Sequence, residues 1–259
     1  MPLDPARAPL ALRRIAQLDV SAASGLVQQH EALWVIADDE LTLAGYDRAG
    51  TRTAHIQLLA GVLPEEHAAR KARKPDFEAL LALPDGTLLA LGSGSTPSRR
   101  RAALVRVADA TSNVVDLSPL YLRLERELPD LNIEGAALLA DTLYLCSRGN
   151  GARRQNALIQ LAWPVCAQAI ADLALIPAEA LREITDVRLG ELAGQALALT
   201  DLAAAGDQLL FAAAAEAEVI DDVAAVEDAE EIAAAEPDEE VVEAVAEDEA
   251  EMEAEAAEA

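Results

Sequence analysis

The sequence predicts an all-β fold of the β-propeller type, and three observations predict it. A phrase of strand, tight turn and strand recurs four times along the 259 residues. An acidic residue opens the strand in three of the copies. The copies recur at spacings that suit one propeller blade each. The clearest copy runs from Lys74 to Ser95. There Asp76-Phe77-Glu78 opens an apolar strand, Pro84-Asp85-Gly86 makes a turn, and a second apolar strand ends in Gly92-Ser93-Gly94-Ser95. A second copy surrounds Glu134-Gly135, a third surrounds Asp201, and the loosest begins at Ser24. Aligning Ser24, Glu78, Glu134 and Asp201 gives spacings of 54, 56 and 67 residues. The alternative is a set of unrelated hairpins in a sandwich.

Taken in order, residues 11–20 partly alternate and read as an early strand that completes the last blade. The first blade runs from about 24 to 59, with strands near 24–28, 33–38, 41–46 and 53–59, and with Trp34 and Tyr46 in its core. Residues 61–75 read as a short helix with acids at its start and bases at its end, which suits the helix dipole; Pro75 stops it. The second blade covers 76–118, with strands near 78–83, 87–92, 103–108 and 113–117. Residues 118–131 form a helical insertion with Ser118 as N-cap and Pro119 at the first position. Leu120, Leu124 and Leu128 mark its apolar face. The third blade is expected over 132–176. A fourth begins at about 186–199 and continues through 201–214. The domain thus spans 10–215, three full blades and part of a fourth, in a ring that is incomplete by itself.

The net charge of −26 is unevenly spread. Residues 1–215 hold 20 basic and 26 acidic side chains, whereas 216–259 hold no Lys or Arg and 20 acidic ones. That tail is Ala/Glu-rich and is expected to be disordered or marginally helical, because its like charges oppose compaction. The acidity argues against non-specific nucleic-acid binding, which needs cations to neutralise phosphates. Cys146 and Cys166 lack metal-ligand or redox spacing, and Cys146 reads as a small buried hydrophobe. His30, His55 and His67 stand beside no nucleophile motif. The N-terminus has no signal-peptide pattern and no apolar run suits a membrane span. The expectation is a cytoplasmic protein with no membrane partner.

The candidate site follows from the repeat. Equivalent residues of each blade fall at the same radius and height, so Glu78, Glu134 and Asp201 are expected to ring the mouth of the central channel. Carboxylates gathered there repel one another, and a cation or a basic partner relieves that repulsion. Alternatively each carboxylate caps a turn or pairs with a nearby arginine. Basic residues cluster in three segments, 70–74, 99–101 and 148–154, two of which follow glycine-containing loops. Lys74, Arg99, Arg100, Arg101, Arg148, Arg153 and Arg154 are therefore the candidates for an anionic, phosphorylated ligand. Solvated basic loops balancing nearby acids are the other reading.

Several phrases resemble an uncharacterised bacterial family known as a domain of unknown function. They are His67 to Leu80, Leu91 to Arg101, Asp116 to Tyr121, Leu131 to Ala136, Arg148 to Gly151 and Leu199 to Ala203. The resemblance covers roughly 10–215. It implies a continuation into a further blade with its own glutamate-glycine opening, which the acidic tail replaces here. The glutamate-glycine openings are more distantly similar to esterase-like phytase propellers, which implies calcium and phosphoester hydrolysis as the chemistry to test. A non-enzymatic protein-interaction scaffold, with the tail as an acidic contact for a protein partner, is the competing expectation.

Overall fold

The computed structural model describes residues 13–149 and 155–215. Its framework is four antiparallel sheets laid down in chain order. The first holds β1 (Ala23–Gln29), β2 (Ala32–Ala37), β3 (Thr42–Tyr46) and β4 (Arg52–Gln57). After helix α1 (His67–Arg73), the second holds β5 (Phe77–Ala82), β6 (Leu88–Gly92), β7 (Arg101–Arg106) and β8 (Thr111–Asp116). Helix α2 (Ser118–Leu124) leads to the third, with β9 (Ile133–Leu139), β10 (Thr142–Ser147), β11 (Asn156–Ala162), helix α3 (Trp163–Leu173) and β12 (Leu181–Val187). The fourth has β13 (Glu191–Leu192), β14 (Gln195–Ala205) and β15 (Gln208–Ala215). Each sheet is a meander, and β1, β5, β9 and β14 pack successively side by side. This is the propeller-like arrangement that the repeat predicts.

Local sequence explains the hairpins. Two-residue turns join the first two long strands of sheets one, three and four, and His30, Ala140 and Gly206 take positive φ at their first position. That backbone twist matches the twist of the flanking strands. The apolar faces of successive sheets then bury one another. Trp34, Ile36 and Leu43 of sheet one pack with Phe77, Leu80, Leu88 and Val105 of sheet two. Leu89, Leu91 and Val115 pack with Ile133, Leu143, Leu145 and Ile159 of sheet three. Each fully buried side chain of this size contributes about 1.5–3 kcal/mol. Sheet four docks through Leu199 and Leu202 onto Ala137 and Cys146. Trp34 and Tyr46 lie in the core, as their positions predict.

A repeated set of backbone hydrogen bonds ties the sheets together. The residue after the second strand donates its N–H to the carbonyl just before the first: Asp38 to Ala22, Ser93 to Asp76 and Arg148 to Asn132. The next sheet then donates back, Asp76 N–H to Asp38 carbonyl and Ile133 N–H to Ser93 carbonyl. Buried Asn156 extends the set with its side chain, accepting from Leu199 N–H and donating to Leu197 carbonyl.

The helices follow the sequence with two corrections. Glu66 caps α1 by accepting the N–H groups of Ala68 and Ala69, and Arg70, Lys71 and Arg73 fill its last turn. In α2, Ser118 is the first helical residue rather than the N-cap. The Asp116 carboxylate accepts Ser118 N–H at 2.8 Å, so the acidic residue two places earlier satisfies that donor. Leu120, Leu124 and Leu128 are buried as their spacing predicts, and Tyr121 joins them by donating its hydroxyl to Gly92 carbonyl at 2.9 Å.

Helix α3 has no counterpart in the strand reading of 132–176. Pro164 suits its first turn, and Cys166 and Ile170, one turn apart, bury into the core. The insertion pushes the third sheet's last strand to Leu181–Val187, so the fourth unit starts later than residue 186. Nor do the described residues of 11–20 form a strand. Leu18 and Val20 instead pack on Val35, Ala44 and Tyr46 of sheet one, and Arg52 holds Asp19 by an ion pair at 3.0 Å. The acidic tail lies outside the described residues.

Candidate functional site

The site is assembled where the first strands of sheets two and three begin. Pro75 ends α1 and the chain turns through Asp76 at a φ of 55°, a conformation that Asp tolerates better than most residues. The turn buries Asp76, which is 5% exposed. Three donors compensate it: Lys74 Nζ at 2.8 Å, Arg99 Nη1 at 2.9 Å and Ser93 Oγ at 2.6 Å. Lys74 also pairs with Asp38, at the end of β2. Burial opposes the charge on Lys74, but its two carboxylate partners prevail and raise its pKa. A carboxylate oxygen from each of Asp38, Asp76 and Glu78 lies within 4.8 Å of the others.

Glu78 differs from its neighbours. It is half-buried on β5 and makes no hydrogen bond or ion pair among the described residues. Burial first, then the charges of Glu134, Asp76 and Asp38, push its pKa up to about 8, against a smaller opposing effect of Lys74. Glu134, at the equivalent place on β9, is pushed up to about 7 by burial, although Arg148 and Asn132 favour its charged form. Asn132 Nδ2 donates to one of its oxygens at 2.5 Å and Arg148 Nη1 lies 3.4 Å from the other. The pair can thus hold and exchange protons near neutral pH, a property of groups that serve as acids, bases or proton-coupled ligands.

The other sequence-predicted residues are distributed as follows. Asp201 sits at an irregularity of β14, its backbone against Gly135 and therefore beside Glu134. Burial raises its pKa and the Leu202 N–H opposes this. The charges acting on Glu78 come from the other acids and Lys74, so the structure brings Glu78 and Glu134 together with Asp38 and Asp76, with Asp201 further round. Lys74, Arg99 and Arg148 reach the site, but as partners of its carboxylates. Arg100 points to α2 and pairs with Glu125 at 2.5 Å. Arg101 is exposed on β7. Arg153 and Arg154 lie outside the described residues. Sequence reasoning missed Asp38 and Asp76. The signal was available: Asp38 follows its second strand as Ser93 and Arg148 follow theirs, and Asp76 precedes its first strand as Asn132 does.

The match to known proteins is at the family level. Residues 19–232 fit the model of the family of unknown function DUF6929. The chain belongs to this family. The match includes the whole site and extends into the acidic segment. No curated protein matches the chain. Among solved structures, a computationally designed protein, Ika4, is 13% identical with a TM-score of 0.38, covering 78% of this chain and 93% of its own. A streptogramin B lyase is 12% identical with a TM-score of 0.40, covering 75% of this chain and 49% of its own. The glutaminyl cyclase of Myxococcus xanthus is 10% identical with a TM-score of 0.39, covering 74% of this chain and 67% of its own. The chain therefore spans about half the length of the lyase. No helix among the described residues is long and apolar enough to cross a membrane.

Proposed function

We propose that this family member binds a divalent cation, with Ca2+ as the first candidate, through Asp38, Asp76 and Glu78, and a phosphorylated small ligand alongside it. One observation carries the reading. Glu78 is a half-buried carboxyl with no partner of its own among the described residues, surrounded by other carboxylates. A cation would convert that repulsion into coordination. Calcium takes about 6–8 oxygens; three carboxylates supply three to six, and water or the ligand supplies the rest. Glu134 is close enough to act electrostatically on Glu78, and Asp201 lies beyond it on β14.

Lys74 is the resident competitor, since its ammonium group already bridges Asp38 and Asp76. Were a cation held by Asp38, Asp76 and Glu78, it would take the place of the Lys74 ammonium group, which with Arg99 would then offer cationic contacts to the ligand's phosphate. Glu134, which is not one of the ligands and is pushed up to about 7, is then the group left to donate a proton to that phosphate's leaving oxygen, so phosphomonoester hydrolysis is the reaction to assay first. Calcium calorimetry on the full chain tests the reading. The expected result is saturable heat that Glu78→Gln and Asp38→Asn each weaken at least about tenfold. Equal heats in parent and variants, or no heat in the parent, would overturn it.

A protein-interaction scaffold is the second reading, and β15 favours it. This is an edge strand among the described residues, and its Leu210 and Phe211 are 49% and 54% exposed. Exposed apolar edges recruit partner strands. On this reading Phe211→Asp releases a bound partner whether or not calcium is present.

A further inference from the structure

A second pocket lies on the other side of α1 from the Asp38–Lys74 pair. It has a volume of about 270 Å³, and its lining includes Leu41, Leu59, Leu63 and Pro75, with Arg73 and Arg101. That is just under the common range for small-molecule sites, about 300–1,000 Å³. The apolar part comes from the end of sheet one and the loop that follows it. The two arginines come from α1 and β7, so the pocket is built where the first two units meet.

The charges decide what it suits. Arg48, Arg52, Arg70, Lys74, Arg99, Arg100, Arg106, Arg123, Arg148, Arg182 and Arg188 all have a carboxylate partner. In a chain of net charge −26 such pairing is the rule. Among the described residues Arg13, Arg14, Lys71, Arg73, Arg101 and Arg126 depart from it, and of these Arg73 and Arg101 line this pocket. Neither has a side-chain ion pair or hydrogen bond among the described residues. Two cationic forks beside an aliphatic lining complement a molecule with an anionic head and a short apolar body.

We infer that this pocket binds a small amphipathic anion, a free carboxylate or phosphate with a short hydrocarbon body, independently of the acidic site. Octanoate is the probe, with octanamide as its neutral counterpart, and saturation-transfer NMR on the full chain is the readout. The expected result is octanoate binding at one site at least about tenfold tighter than octanamide, reduced about tenfold by Arg73→Gln and by Arg101→Gln. Leu63→Asp is expected to weaken both probes, and Glu78→Gln neither. Arginine variants that bind octanoate as the parent does would overturn the proposal, as would equal affinity for the two probes or no binding. Co-sedimentation with phosphatidylglycerol vesicles distinguishes a lipid headgroup from a free ligand. Vesicle binding that both arginine variants lose, without octanoate binding, would also overturn it.

Discussion

Replacing Glu78 with glutamine removes one titrating group while keeping its shape, and the structure assigns the effect a sign and a size. In the folded chain this carboxyl has a pKa of about 8 against an ordinary 4.5. It holds its proton more tightly folded than unfolded. Its stabilising contribution is therefore full below about pH 4.5, declines as pH rises, and is lost above about 8. At 1.36 kcal/mol per pH unit, the displacement corresponds to at most about 5 kcal/mol. Solvent reaches the half-buried group, and about 2–3 kcal/mol should be observable. Urea unfolding of the parent and of Glu78→Gln at pH 5, 7 and 9 provides the measurement. The acidic tail titrates equally in both proteins, so the difference between them reports Glu78 together with its coupling to Glu134. The variant should gain about 2–3 kcal/mol on the parent between pH 5 and pH 9. Parallel stability curves would show that Glu78 titrates normally, and the electrostatic account of the site would fall.

Other predictions concern the frame around the site. Asp76→Ala leaves Lys74 and Arg99 without their shared buried partner and should cost about 3–5 kcal/mol, read as a lower urea midpoint; a change under about 1 kcal/mol would contradict the geometry. Gly135→Ala places a methyl group 2.5 Å from Leu202 N and 2.7 Å from Asp201 Cα. It should loosen sheet four, seen as faster amide exchange in β14 and β15 while β5 and β6 stay protected. Cys146 and Cys166 are buried, and burial pushes both thiols up to about 12. Neither should react with a thiol reagent at pH 8 until urea unfolds the chain.

Much of this fold can be read from short-range pattern. The turns at 30–31, 140–141 and 206–207 and the apolar strands beside them are local features, so the repeat reveals them. It also places Glu78 and Glu134 on equivalent strands. Helix α3 escapes such a reading because a short apolar run such as Val165 to Ile170 serves a buried strand or a buried helix equally well. The centre of the site escapes for another reason. Lys74 meets Asp38 across 36 positions and Arg99 meets Asp76 across 23. Nothing in the spacing of either segment announces these pairs. The first arises only when sheets one and two dock, and the second when the loop between β6 and β7 folds back onto the start of β5, so tertiary structure decides which basic residues neutralise the site and which, like Arg73 and Arg101, stay available.

The proton count of calcium binding tests the central claim most directly. A cation that coordinates Glu78 must expel the proton this carboxyl holds at pH 7. Calorimetry at pH 7 in two buffers of different ionisation enthalpy should give heats that differ by close to one proton released per calcium. The affinity should rise by up to about tenfold per pH unit from 6 to 8. Calcium binding with no proton release and no pH dependence would place the cation elsewhere and leave Glu78 outside the site.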